Sequence, residues 1–353
     1  MASTFKTFLS NDIATTKTLL HEAIPITGTI VSGTYAGDTA NIKTFSHGMF
    51  ESVYDYPYLS SSANHIFDIT AGYSSESRLS HSSHEQNAKK INIYNQFAQV
   101  LVPYDIDGNI QQFDRDGDIL GGGDKFKECF FLSLSRLLTK DEIKKGSFRL
   151  GLYLTSSNVK TLASRNAMMT LGDYGAATSF KVNSPTGEYG LIYTASGGDD
   201  AVGHIYYQAG VVVLTASIFS GSFEDPAKTA AAILPSRLDK VSDAFTGSTI
   251  TELANGFRYT VDNIEFNNTT ELNSTMYFCR ANTGEYNYSS NPTYLDSSKI
   301  VVKGNNAFEE PVSYMTTVGL YSADNELLAT AKLSEPLKKA PSNEITLRVR
   351  LDY

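Results

Sequence analysis

The sequence predicts an α+β fold that is rich in β-structure, with antiparallel, sandwich-like sheets and a few helices in the N-terminal part and middle of the chain. Aromatic residues, which favour strands, are frequent, with 21 Tyr and 19 Phe but no Trp. Apolar and polar residues alternate over many short segments, as in half-buried antiparallel strands. Clusters of Gly, Pro, Asn and Asp separate these segments and indicate turns.

Length and composition bound the number of domains. The chain has 353 residues, of which 41% are apolar and 19% charged, and this length corresponds to roughly two domains with cores of their own. The order of predicted elements divides the chain into three regions. These are a mixed α/β N-terminal region (1–146), a β-rich domain with a helical segment (147–255) and a C-terminal antiparallel β domain (256–353).

Charge and hydropathy exclude two classes of partner. The net charge is −9 and the isoelectric point is near 5.2, whereas a nucleic-acid-binding surface concentrates Lys and Arg. No segment reaches the roughly 20 apolar residues of a membrane-spanning helix. The first residues lack the pattern of a secretory signal. We therefore expect neither nucleic acid nor membrane as a partner, and synthesis without export.

The N-terminal region is predicted to combine helices, strands and turns. In segment 15–22 polar residues precede an apolar pair, which predicts a short helix. Segment 24–30 alternates and is predicted to be extended, since a residue before proline avoids the α region. A longer helix is predicted to end before Pro103, because apolar residues recur every three or four positions. They are Ala88, Ile91, Tyr94, Phe97, Ala98 and Leu101.

Turns and strands follow this helix. Segment 104–124 is rich in Asp and Gly and predicts an exposed loop or a pair of hairpins. Segment 127–136 predicts a strand. In segment 139–146 a threonine, early acids, late lysines and a closing glycine predict one or two helical turns.

The remainder of the chain is predicted to be mostly strands. Strands are predicted at 148–155, 179–182, 190–193, 204–207 and 211–219, followed by helices at 228–234 and 238–253. Near the C-terminus, 312–321 and 326–333 flank a short Asp/Asn turn and predict a hairpin, and 344–351 alternates as a half-buried strand.

One acidic segment is a candidate metal site. Asp114, Asp116 and Asp118 offer the carboxylate oxygens that calcium prefers. The segment departs from an EF-hand loop, because glycine is at its fourth position and Lys125 stands at the twelfth, where a bidentate glutamate belongs. An ordinary Asp/Gly turn explains the same residues. We expect no cofactor or metal, and calcium at these three aspartates is the alternative.

No motif indicates catalysis. His81 and His84 lie about one helical turn apart but lack a third ligand nearby in the sequence. Gly121–Gly123 lacks the spacing of a phosphate-binding loop, and no Ser or Cys lies in a nucleophile motif. The sequence therefore predicts a protein that is not an enzyme.

Two C-terminal segments carry a resemblance to phage proteins. Residues 314–333 resemble the hairpin "GLYDxDGxLLAVAKL" of phage tail-fibre and baseplate-associated proteins, with Val318-Gly-Leu-Tyr and Leu327-Leu-Ala-Thr-Ala-Lys-Leu as the matching parts. Residues 266–280 and 285–292 are similar to structural proteins of marine contractile-tailed phages. The resemblance is sharpest over about the last hundred residues.

This resemblance implies a structural component of a tailed-phage virion, in the tail, baseplate or neck, made in the host cytoplasm and acting by protein–protein assembly without catalysis. The implied partners are other virion subunits and further copies of the chain in a symmetric ring or assembly. Aromatic and arginine side chains dominate interfaces, and the candidate contacts are Tyr286, Tyr288, Tyr294, Arg348 and Arg350. Because tyrosines also stack on sugars, the alternative is a receptor- or glycan-binding module.

Overall fold

The computed structural model of the protein describes residues 6–26, 40–80, 85–119, 122–153, 168–198, 200–219, 245–287, 293, 295–296, 299–300 and 311–353. Over these residues the architecture is α+β and rich in antiparallel β-structure, which confirms the predicted fold class. The helices are α1 (Glu85–Leu101), α2 (Arg136–Thr139) and α3 (Ile250–Thr260), with 3-10 turns at Ser10–Asp12 and Ala216–Phe219.

The strands follow one another along most of the chain. In order they are β1 (Ile13–Ile26), β2 (Ile42–Thr44), β3 (Glu51–Tyr54), β4 (His65–Tyr73), β5 (Phe113–Asp114), β6 (Lys125–Phe126), β7 (Glu128–Leu134), β8 (Glu142–Ile143), β9 (Arg149–Tyr153), β10 (Met168–Gly172), β11 (Lys181–Ser184), β12 (Gly187–Ile192), β13 (Gly203–Tyr206), β14 (Val211–Thr215), β15 (Val261–Ala281), β16 (Leu295–Asp296), β17 (Lys299–Ile300), β18 (Ser313–Tyr321), β19 (Leu327–Lys339) and β20 (Ile345–Asp352).

The chain forms two compact units. The large unit is Leu20–Thr270, and the small unit combines Met1–Leu19 with Glu271–Tyr353. The predicted boundaries after residues 146 and 255 do not coincide with these division points. In the large unit β7 pairs with β14, and β9 pairs with the first part of β15. Hydrogen-bonded ladders therefore cross both predicted boundaries, which local sequence patterns do not reveal.

The large unit is built on an eight-stranded antiparallel sheet in the order β11-β12-β13-β14-β7-β4-β3-β2. Both faces are buried, and β7 illustrates the alternation that places its side chains on either side. Phe130 and Leu132 belong to one apolar cluster, which includes residues of β9, β10, β15 and α3. Cys129 and Phe131 belong to the other, which includes residues of α1. The central strands are thus enclosed between two layers.

Helix α1 covers one face of this sheet and lies where the sequence predicted a helix. Tyr94, Ala98 and Leu101 are buried, and the ring of Phe97 stacks on Phe131 at a centroid distance of 4.3 Å. Gly72 in β4 allows the helix to approach closely, since a Cβ there would lie 2.5 Å from a carbonyl oxygen of α1.

Helix α3 begins at a residue that satisfies its free amide groups. Thr249 Oγ1 accepts a hydrogen bond from the amide of Glu252 at 3.2 Å, and the Glu252 carboxylate accepts one from the amide of Thr249 at 2.6 Å. This reciprocal arrangement is a capping box. The helix therefore begins near the end of the predicted segment 238–253 and extends beyond it, while 228–234 lies outside the described residues.

The small unit pairs its strands but buries little apolar surface. The second part of β15 pairs with β20, and β18 pairs with β19 as a two-stranded ribbon. Neither apolar cluster contains a residue from the described part of this unit. Among its described residues the buried apolar side chains are Ala281, Leu320 and Ala340. The hairpin and the final strand were predicted, and both are confirmed.

Two local predictions in the N-terminal region are wrong. Segment 15–22 is part of strand β1 and not a helix, and its side chains are exposed on both faces, so no alternation indicated a strand. Segment 139–146 contains the end of α2, a turn and β8, because Ile143 is fully buried and pairs with Asn268 of β15. In both segments pairing with a distant strand outweighs local preference.

Candidate functional site

A groove of about 650 Å³ lies in the small unit. One wall consists of the consecutive residues 314–323, which are most of β18 and the turn after it. The opposite wall consists of 278–281 at the end of β15, together with 6–8 and Leu347. Most of the residues that line the groove come from strands of the small unit that are not paired with each other, β15 and β18.

Aromatic side chains give the groove its chemical character. Tyr286, Tyr314 and Tyr321 line it and remain 46%, 51% and 43% exposed. Phe8 also lines it, and its ring lies 5.3 Å from that of Tyr277. Exposed aromatic rings that share one concavity provide apolar area together with hydroxyl groups for hydrogen bonds. The surface suits a protein segment or a sugar.

The charged side chains of the groove are paired with one another or with an adjacent turn. Arg280 Nε lies 2.7 Å from Asp12 Oδ1, and Lys6 forms an ion pair with Glu285. The hydrogen bond from Lys6 lowers the pKa of Glu285. These pairs attach the N-terminal segment to the end of β15 and leave the groove close to neutral.

Cys279 is the groove residue with nucleophilic potential. It is a free cysteine, and partial burial, reinforced by the negative charge of Asp12, raises the pKa of its thiol. A raised pKa keeps the thiol protonated near neutral pH, and the thiolate is the reactive form. The environment of Cys279 therefore does not activate it.

Tyr286 is the one predicted tyrosine that the described residues contain. It has a φ of 54°, in the left-handed region, and its carbonyl accepts a hydrogen bond from Ser313 Oγ at 2.7 Å. The adjacent Asn287 accepts one from the buried Lys339 Nζ at 2.8 Å. The turn that presents Tyr286 is thereby held to both strands of the ribbon. Tyr288 and Tyr294 lie outside the described residues.

The two predicted arginines lie on one exposed face of β20. Arg350 donates from Nε to Asp352 Oδ1 at 2.6 Å and from Nη2 to Ser274 Oγ at 3.0 Å. Arg348 stands opposite Phe278 in the ladder and has no ion pair or hydrogen bond to the described residues. These arginines do not line the groove.

The three aspartates of the candidate calcium site do come together. One carboxylate oxygen from each of Asp114, Asp116 and Asp118 lies within 4.8 Å of the others. Asp114 is buried and forms an ion pair with Lys125, and burial is the main cause that raises its pKa. The amide of Asp118 donates to Asp116 Oδ1 at 3.2 Å, as in an Asx turn. A turn with Lys125 as counter-ion accounts for this geometry, and calcium stays the alternative.

The sequence did not single out the buried charges of the large unit. Lys90 is fully buried in α1 and donates to the carbonyl oxygens of Phe245 at 2.5 Å and Ser248 at 2.6 Å. Asp173 is fully buried and accepts from the amides of Gly146 at 2.7 Å and Phe148 at 3.0 Å. Each satisfies backbone groups of a nearby turn, which is a structural role.

Sequence reasoning also missed most of the groove. Of its aromatic residues only Tyr286 was predicted, because Tyr314 and Tyr321 belong to a strand pattern that gives no functional indication. The two walls come from segments more than thirty residues apart. The feature of the sequence that could have indicated the groove is the contrast between β18, which has no charged residue, and β19, which is rich in lysine.

Comparison with known proteins gives no relative for this chain. No family model matches it, and neither the curated proteins nor the solved structures contain a significant match. Among the described helices none has the length and hydropathy that crossing a bilayer requires.

Proposed function

We propose that the chain is a structural component of a tailed-phage virion, in the tail, baseplate or neck, and that it acts by protein–protein assembly. The observation that carries this proposal is the small unit, whose strands are paired while its apolar side chains stay accessible. Leu328 and Tyr353 are 69% and 73% exposed. Tyr286, Tyr314 and Tyr321 are also exposed and line one groove, and an exposed apolar patch of this kind marks interaction sites in soluble proteins.

The virion assignment within this proposal rests on the resemblance of residues 314–333 to the hairpin of tail-fibre and baseplate-associated proteins. This segment forms β18 and β19, the ribbon that borders the groove. The part of the chain that resembles virion proteins is therefore the part with the accessible surface. Both features favour assembly with neighbouring subunits over an isolated monomer.

Mass spectrometry of purified particles tests the proposal. Particles are purified from a host infected with the phage that encodes the chain, and peptides of the chain are quantified against those of the major capsid protein. The proposal predicts a constant copy number that survives a density-gradient step. Absence of the chain from particles, with abundant chain in the infected-cell lysate, would overturn it.

A second candidate function is recognition of a receptor glycan, favoured by the three exposed tyrosines in one groove. Aromatic faces bind sugars by stacking, and Tyr hydroxyls add hydrogen bonds. A glycan array with the purified chain tests this function. Tyr314→Ala is expected to remove binding, whereas Tyr104→Ala, which truncates a 53% exposed tyrosine of the large unit, is expected to retain it. An array without binding would exclude recognition of the glycans it displays.

A further inference from the structure

The ribbon β18–β19 has two edges that differ in their protection. A strand edge presents unpaired amide and carbonyl groups, and natural proteins block such edges with lysine, proline or bulges. Strand β19 contains Lys332, Pro336 and Lys338, and the register shifts between its pairs with β18. The outer edge of β19 is therefore protected against pairing with another strand.

Strand β18 lacks lysine and proline, and the extra residues at both register shifts belong to β19. Its sequence, Ser-Tyr-Met-Thr-Thr-Val-Gly-Leu-Tyr, contains no charged residue and no proline. Among the described residues β19 is its one ladder partner. A nine-residue edge with β-branched and aromatic side chains is suited to accept a further strand.

The groove runs along this open edge. Residues 314–323 line it consecutively, whereas a groove over one face of a strand would be lined by alternate residues. This consecutive lining agrees with a groove that lies beside the edge of β18. An extended segment in this position would extend the ribbon by β-strand addition.

We propose that the open edge of β18 pairs with β18 of a second copy of the chain, antiparallel and about a two-fold axis, so that two ribbons form one four-stranded sheet. This inference rests on the proposed assembly role and names one contact of it. In a two-fold contact the same surface is used by both copies. Because β18 contains no charged residue, pairing with its own copy places no like charges opposite one another, and such pairs would destabilise the contact.

The charge of the small unit agrees with self-association. It contains ten Lys and Arg against eleven Asp and Glu, a net charge of −1, so most of the −9 of the chain belongs to the large unit. Near-neutral surfaces associate more readily than surfaces of one sign. If the partner were a different protein attracted by charge, we would expect charged residues along the edge of β18, and there are none.

The test is the oligomeric mass of the full chain and of charge variants, measured by size exclusion with light scattering at low and high protein concentration. The wild type is expected to be a dimer at high concentration. Thr316→Lys places an ammonium group at the exposed edge of both copies and is expected to weaken the dimer by roughly tenfold or more. Thr316→Glu is expected to weaken it similarly.

Mixing the two variants distinguishes self-pairing from other effects. Thr316→Lys with Thr316→Glu brings opposite charges together, so a mixed dimer is expected to return to wild-type stability. Thr330→Lys is the matched control, because it makes the same substitution in β19 opposite Gly319, and it is expected to leave the dimer unchanged. Far-UV circular dichroism checks that each variant keeps its fold.

Three outcomes would overturn the inference: a wild type that stays monomeric, a Thr316→Lys variant that dimerises normally, or folded single variants whose mixture does not associate. Amide hydrogen exchange of the wild type needs no variant, and protection of residues 313–321 should increase with protein concentration. If the purified chain is monomeric but is present in purified particles, the β18–β18 contact is refuted and the proposed function is not. Absence from particles would refute the proposed function.

Discussion

Replacing Glu51 with glutamine should stabilise the protein at alkaline pH. Glu51 is fully buried in β3, and neither of its carboxylate oxygens has a hydrogen-bond partner among the described residues. Burial raises its pKa from 4.5 to about 7, although the nearby Arg258 acts in the opposite direction. Glutamine has nearly the same shape as the protonated acid and cannot ionise.

The magnitude follows from the difference between the two pKa values. The folded protein holds a proton on Glu51 more tightly than the unfolded chain does. The contribution of this proton to the free energy of unfolding is therefore fully present below about pH 4.5 and is lost as the pH rises to about 7. At 1.36 kcal/mol for each pKa unit the loss is about 3 kcal/mol. Glu51→Gln should match the wild type near pH 4.5 and exceed it at pH 8 by up to about 3 kcal/mol.

The assay is urea unfolding of both proteins from pH 4.5 to 8, followed by far-UV circular dichroism because the chain has no Trp. The quantity to compare is the difference in free energy of unfolding. Burial lowers the pKa of His204 from 6.5 to about 4. Titration of His204 therefore increases the stability of both proteins as the pH rises through this interval, which is the opposite of the effect of Glu51. The difference removes its contribution, because both proteins contain it.

Glu76→Gln is the matched control for this experiment. Glu76 lies in the same unit and is exposed, so the same substitution should leave stability unchanged at every pH. A Glu51→Gln advantage that does not grow between pH 4.5 and 8 would show that the pKa of Glu51 is not raised in the folded protein. So would a variant that is less stable than the wild type at pH 8.

Further predictions concern packing, a buried carboxylate and calcium. Gly72→Ala should cost about 1–3 kcal/mol in urea unfolding because α1 must move, whereas Gly284→Ala, with nothing within 4 Å of the added carbon, should cost much less. Asp173→Asn should cost about 1–3 kcal/mol, because the uncharged side-chain amide is a weaker acceptor for the backbone amides of Gly146 and Phe148. Calcium should leave the Tm unchanged, because Lys125 already neutralises the buried aspartate. A calcium-dependent rise in Tm that Asp116→Asn abolishes would contradict this.

The sequence predicted the elements whose burial follows a period. Helix α1 has apolar residues every three or four positions, and its buried residues include Tyr94 and Leu101. Strands β18, β19 and β20 alternate, and they form where the alternation indicated. In α1 local preference, patterning and tertiary packing agree, and in the three strands local patterning and strand pairing agree.

Elements fixed by distant partners were not predictable in the same way. Segment 15–22 of strand β1 is exposed on both faces, so its apolar residues follow neither the period of a helix nor that of a half-buried strand. The polar residues before Leu19 resembled the start of a helix. Ile143 is buried against a strand more than a hundred residues away, and the local sequence around it favours a helix. The division into units was also hidden, because it depends on which part of β15 pairs with which strand.

The candidate site was predictable only in part. Tyr286 was singled out because tyrosine in a polar loop is typically accessible, and it is exposed in the groove. The remainder of the groove depends on 278–281 and 314–323 lining one concavity, and no local pattern indicates that these two segments come together. The asymmetry between a charged β19 and an uncharged β18 was visible in the sequence, but its meaning depends on knowing which edge is open.

The most direct test of the assembly role is a reconstruction of the intact particle by electron cryo-microscopy. We expect density for the chain in the tail, baseplate or neck, with the groove and the exposed apolar side chains of the small unit covered by neighbouring subunits. A particle in which the chain is present but the small unit projects uncovered into solvent would contradict it.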